Sequence, residues 1–320
     1  MCVSPLPHQS PQRTLALRPR SFREAAYVAA VLLSPPVLLA VNRANNDLAI
    51  FALIGAPLLL LRDGNPTWKL LLLATALLAA TGLKYYPVLA VAALVIMDHR
   101  PKRALWLAGG TLAAALLVLW SERAGLARGK FAFPDSFHLF GSPRLWLDLS
   151  LNAAPALALS LGLISAFAWW LARRHVTRGL NDPAAGPGRA RWLFAVGALL
   201  LLGCFLAGTS FAYRLIFAVW LCPWLWHQLG QASTSRIARI TLGLLLLSLW
   251  QDGGFCLVQN VGLVRLPPQV ETLWRYLTQP VHWALMTLLA GWLLEAAWRT
   301  GQDLLSPAGP VSRDESVAAP

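Results

Sequence analysis

Long apolar runs separated by short polar breaks recur along this chain from Ala25 to Trp298. They are rich in Leu and Ala, and they lack the alternation and the roughly ten-residue spacing of barrel strands. Helices are the other structure that satisfies its backbone in lipid. The pattern therefore predicts an all-α, polytopic transmembrane helical bundle. Ten helices are expected, at about Ala25–Val41, Ala44–Leu61, Trp68–Leu83, Tyr86–Met97, Ala104–Trp120, Ala153–Ala172, Trp192–Gly208, Leu215–Leu229, Ile240–Val258 and Pro280–Trp298. The Pro35-Pro36 pair predicts a kink in the first. A polar segment (residues 1–24) precedes this transmembrane region (25–298). A long loop, Ser121–Asn152, interrupts it, and a Pro/Gly/Ser-rich tail (299–320) follows, expected to be disordered and cytoplasmic.

The two arms of the Trp68–Met97 hairpin are short. Arms of about 12–16 apolar residues reach about 18–24 Å, against a hydrocarbon core of about 30 Å. The turn Lys84-Tyr85-Tyr86-Pro87 is therefore expected below the membrane surface, facing protein or a water-filled cavity.

Composition agrees with a membrane protein: 57% of the 320 residues are hydrophobic and 13% charged, against about a quarter charged in soluble domains. The net charge of +13 does not indicate nucleic acid, because the basic residues fall in short loops and form no single patch or stripe. They carry topology instead. With the N-terminus in the cytoplasm, the inner segments hold 18 Lys and Arg and the outer ones 9, which fits the positive-inside rule. The expected location is the cell (inner) membrane, multi-pass. Cys2, Cys204, Cys222 and Cys256 show no metal or redox spacing. His99, His175 and His227 fall on the inner side, and His138 and His282 on the outer. No His/Cys/Asp cluster has metal-ligand spacing, so no metal is expected.

The same topology gathers three polar motifs on the outer side. Asn42-Arg43-Ala44-Asn45-Asn46-Asp47 opens the second helix. Lys84-Tyr85-Tyr86-Pro87 turns the short hairpin, and Thr209-Ser210-Phe211-Ala212-Tyr213-Arg214 joins the seventh and eighth helices. Gln251 and Asp252 fall in the outer third of the ninth. A charge at bilayer depth costs about 2.5–3.5 kcal/mol, and such residues usually face a bundle interior or a cavity. Arg43, Lys84 and Arg214 suit an anionic ligand, and Arg suits phosphate bidentately. Asp47 and Asp252 suit a general base or a hydroxyl-binding group. Blander readings stand beside these. Asp47 is also a first-turn acid favoured by the helix dipole, with Asn46 as cap. Lys84 and Arg214 also suit snorkelling to head groups. Tyr85, Tyr86 and Tyr213 also suit an interfacial aromatic belt.

The runs SPPVLLAVNRANNDLAIFALIG, KYYPVLAVAAL and TSFAYRLIFAVWLCPWL resemble the GT-C superfamily of integral membrane glycosyltransferases. They look closest to the family 87 polyprenyl-phosphate-mannose-dependent mannosyltransferases. The matched positions are Arg43/Asn45/Asp47, Lys84/Tyr86/Pro87 and Tyr213 to Phe217, and the resemblance covers roughly Ser34–Leu229. It implies inverting transfer of a hexose from a polyprenyl-phosphate sugar to a cell-envelope glycolipid or glycan on the outer face, without a cofactor. Arg43, Lys84 and Arg214 would hold the donor phosphate, the bilayer would hold the polyprenyl chain, and an acid would deprotonate the acceptor. The chain departs from the family in one respect: such enzymes usually carry the catalytic acid in a large outer loop after the first helix. Only about 24 polar residues and one helix precede Asn42 here, so that loop is expected to be missing. The alternatives are a truncated or inactive relative, a non-catalytic membrane subunit, or a transporter or flippase of an anionic lipid-linked substrate.

Overall fold

The computed structural model describes residues 21–42, 46–123, 139–142, 146, 153–182, 185–206, 210–260 and 268–305. Among them the chain is almost wholly helical. The first predicted helix is two: α1 (Phe22–Leu32) and α2 (Pro35–Asn42), set 50° apart. Ser21 caps α1 by accepting a hydrogen bond from the Glu24 amide at 3.1 Å, the first half of a capping box. At the break, the Ser34 hydroxyl donates to the Val31 carbonyl at 2.7 Å. This satisfies a carbonyl freed by the prolines.

Helices α3 (Asn46–Leu60) and α4 (Thr67–Leu83) form a hairpin. Its turn is locked by Asn65, whose side chain accepts from the Arg62 amide at 2.8 Å. Gly64 supplies the left-handed residue at φ 67°. The chain then leaves α4 in an extended conformation at Lys84, forms a 3₁₀ segment, Tyr86–Val91, and continues as α5 (Ala92–Met97). Next come α6 (Pro101–Ser121), α7 (Ala153–Arg173) and α8 (Gly188–Leu206). A second 3₁₀ segment, Ala212–Leu221, leads into α9 (Cys222–Gln228), then α10 (Ser235–Asn260) and α11 (Pro268–Leu305). A two-residue antiparallel pairing joins Leu139–Phe140 to Ser210–Phe211.

The centre of the bundle is α8. Of its apolar span 89% is buried, against 17% for α6 and 22% for α7. The outer faces of α6 and α7 show Trp106, Leu117, Trp120 and Phe167, as helices bordering lipid do. Two glycines let backbone approach α8 closely. A Cβ at Gly197 would stand 3.2 Å from the Phe217 carbonyl oxygen, and one at Gly203 would stand 3.0 Å from that of Tyr86. Both 3₁₀ segments therefore lie directly against the pillar.

Among the described residues, four helices are long and apolar enough to cross a membrane, and the bent α1–α2 pair makes a fifth candidate. This supports a membrane protein but not ten crossings. The described residues form eleven α-helices, and several are short. At 15 and 17 residues, α3 and α4 reach about 22–26 Å, below the hydrocarbon thickness. The C-terminal region also differs from expectation. α11 runs through Pro280 and continues to Leu305, so the polar tail after Arg299 begins as helix.

Candidate anion-binding site

One end of the bundle gathers three of the charges that border the apolar runs, Asp47, Lys84 and Arg214. Asp47 lies in the first turn of α3 and is fully buried. Lys84, at the end of α4, donates to its Oδ2 at 2.7 Å. The Tyr86 hydroxyl donates to Oδ1. The Arg214 Nε stands 3.9 Å from Oδ2. Stacking completes the arrangement: the Lys84 ammonium lies 5.7 Å from the Tyr213 ring centre, and the Arg214 guanidinium 5.1 Å from that of Tyr86. Such cation–π contacts contribute about 0.5–2 kcal/mol, more when desolvated.

The local folds explain this convergence. The extended residue at Lys84 breaks helical phase, so its side chain and that of Tyr86 reach the same carboxylate. The second 3₁₀ segment opens immediately before Tyr213 and aims Arg214 at Tyr86. An aromatic layer beneath, Phe51, Phe217 and Trp220, carries both: Phe217 meets Tyr86 at 6.0 Å and Phe51 at 6.2 Å between ring centres. Lys84 and Arg214 side chains keep 18% and 13% exposure. Among the described residues, one buried carboxylate thus holds two partly exposed cations.

Of the residues singled out from sequence, the structure brings together Asp47, Lys84, Tyr86, Tyr213 and Arg214. Tyr85 is half-buried beside them against the core, and Asn46 is exposed. Arg43 and Asn45 lie outside the described residues. Asp252 is on α10, directly after Gln251, whose amide meets His282 Nε2 at 2.8 Å. No group of three or more His, Cys, Asp or Glu among the described residues could hold a metal ion. Lys84 does not simply snorkel outward, because its ammonium is bound to Asp47.

The opposite end of the bundle carries its own polar layer, where Asp63 pairs with Arg191 and Asp98 with Arg103 at 2.6 Å. Glu295 on α11 also lies toward that end, at 2% exposure. It is an acid inside an apolar helix, the same signal that singled out Asp47, yet it stands apart from the three motifs that meet at Asp47.

An apolar groove of about 500 Å³ begins at Phe51, one turn along α3 from Asp47. It follows Gly55 and Leu59 on one wall and Tyr27, Val219 and Trp220 on the other. No known protein family, curated protein or solved structure matches this chain.

Proposed function

We propose that Lys84 and Arg214 bind the phosphate of a lipid-linked sugar, and that the chain is a membrane glycosyltransferase of the GT-C kind. It would transfer a hexosyl (mannosyl) group from a polyprenyl-phosphate donor on the outer face of the cell membrane. The observation that carries the reading is the convergence on one buried carboxylate of three motifs far apart in the chain: Asp47 and Lys84 alone are separated by 37 residues. The two cations tied to it remain partly exposed, the disposition a phosphate needs. The apolar groove starting at Phe51 suits the lipid chain of such a donor. The resemblance to family 87 supplies the reaction.

Asp47 is then a positioning residue. Both its oxygens accept hydrogen bonds, so it holds Lys84 and Tyr86 in place and is poorly disposed to take a proton from an acceptor. That observation favours a second reading, in which the chain binds a lipid phosphate as a non-catalytic subunit.

Purified protein in nanodiscs, given a polyprenyl-phosphate hexose, separates the two. Binding is expected, and Lys84→Ala and Arg214→Ala should each weaken it about 10- to 100-fold, the loss of one hydrogen bond to a charged group. Unchanged affinity in both variants would overturn the phosphate assignment. Binding without sugar transfer, in the presence of cell-envelope acceptors, would assign the subunit role. Reporter fusions complete the test: a fusion at Ser121 is expected on the outer side and one at Arg178 on the cytoplasmic side.

A further inference from the structure

A second polar pocket lies at the end of the bundle away from Asp47. Thr300 donates to the Ile96 carbonyl at 3.3 Å, which ties this part of α11 to the far end of α5. The pocket has a volume of about 720 Å³ and is lined by Trp169, Arg173, Asn181, Glu295, Trp298 and Arg299, among others. It opens where two candidate spanning helices end, Ala154–Arg173 and Tyr276–Gln302.

Its chemistry is specific. Glu295 Oε1 accepts from Arg299, but Oε2 is buried with no hydrogen-bond partner among the described residues. Asn181 uses both amide hydrogens, on the Ala296 carbonyl at 2.6 Å and the Thr300 hydroxyl at 2.7 Å. Its Oδ1 is therefore an acceptor, and it too is buried with no such partner. Buried polar atoms are normally satisfied, and both of these need donors. Around them stand exposed or half-exposed cations. Arg173 packs 4.6 Å from the Trp169 ring centre, and Arg299 keeps 40% side-chain exposure. Trp169 and Trp298 meet edge-on at 5.2 Å, as aromatics of an interfacial belt can. At the rim, His175 occupies the left-handed region at φ 51°. Its amide bonds the Ala172 carbonyl at 2.9 Å and that of Val176 bonds Leu171 at 3.2 Å. This is a Schellman turn with histidine where glycine is usual, and it folds the 175–182 segment back over the pocket.

We propose that this pocket binds a phosphoethanolamine head group. Its primary ammonium donates to Glu295 Oε2 and Asn181 Oδ1, and its phosphate meets Arg173 and Arg299. A trimethylammonium group has no N–H and leaves both acceptors unsatisfied, so choline lipids are discriminated against. The site is independent of the donor reading for Asp47.

Native mass spectrometry of the full chain, loaded with equimolar phosphatidylethanolamine, phosphatidylcholine and phosphatidylglycerol, reads this directly. Ethanolamine lipid should be retained over choline lipid about tenfold, the discrimination of about one charge-assisted hydrogen bond. Glu295→Gln should abolish that preference. Arg173→Gln leaves the buried groups untouched and should weaken retention of ethanolamine lipid while preserving its preference over choline. Equal retention of ethanolamine and choline lipids by the unaltered protein would overturn the proposal, as would an intact preference in a folded Glu295→Gln variant. Competition by soluble glycerophosphoethanolamine would identify a free solute as the source of the head group. Its failure to compete would identify the bilayer lipid.

Discussion

Replacing Asp47 by asparagine is expected to lower the unfolding free energy by about 3–5 kcal/mol, the range for breaking a buried ion pair by removing one partner. The substitution keeps the shape of the side chain and removes its charge. Lys84 and Arg214 would then face each other across a fully buried, neutral amide, and Lys84 would lose its ion pair with the buried carboxylate. Tyr86 would keep an acceptor, so the loss is electrostatic more than steric. Thermal unfolding in detergent measures it: the midpoint should fall markedly in Asp47→Asn. The double variant Asp47→Asn/Lys84→Met should lie closer to the single variant than the sum of both effects, since the two side chains are in contact. An unshifted midpoint in Asp47→Asn would mean that the cluster is solvated and that Asp47 does not organise it.

The second large effect is expected below the cluster. Phe217 is fully buried and touches Phe51, Tyr86 and Trp220, with ring centres at 6.2, 6.0 and 5.5 Å. Phe217→Ala should destabilise by about 3 kcal/mol, the lower end for removing a buried aromatic ring. The lower end applies because lipid tails are as apolar as the core, so the transfer term shrinks and lost packing dominates. The same change should loosen Tyr86 and, through it, Asp47, and so weaken the proposed lipid-phosphate binding, although Phe217 is itself apolar. Phe217→Leu keeps much of the volume and should cost under about 1.5 kcal/mol. Stability measured beside donor affinity for both variants checks the coupling. Loss of stability with affinity intact would separate the aromatic layer from the cluster.

Much of this arrangement was legible because charges inside apolar runs are expensive and must find company. Asp47, Lys84 and Arg214 stood out for that reason, and the structure places them together. The kink at Pro35-Pro36 was legible because proline leaves a helix few options. The 3₁₀ segments were not: in a wholly apolar run such as Leu215–Leu221, no polar face exists to reveal whether the period is 3.0 or 3.6. The number of crossings was not legible either. An apolar helix packed inside a bundle reads the same as one crossing lipid, and only length separates α3 from α7. The sealing of Asp47 came from the extended residue at Lys84, a local choice that hydropathy does not report. The pocket around Glu295 carried the same signal of an acid in an apolar run as Asp47 and lies outside the three motifs that meet at Asp47.

The enclosure of α8 sets an order of disassembly. A helix with 89% of its apolar span buried has neighbours on every side, so its amides can exchange with solvent only when the surrounding bundle comes apart. Peripheral α6 and α7 can loosen first, at lower free energy, without exposing it. In deuterium-exchange measurements the Gly188–Leu206 segment should therefore be the slowest of the chain. The end bearing Asp47 should follow its timing, because the Tyr86 backbone rests on Gly203 of that same pillar.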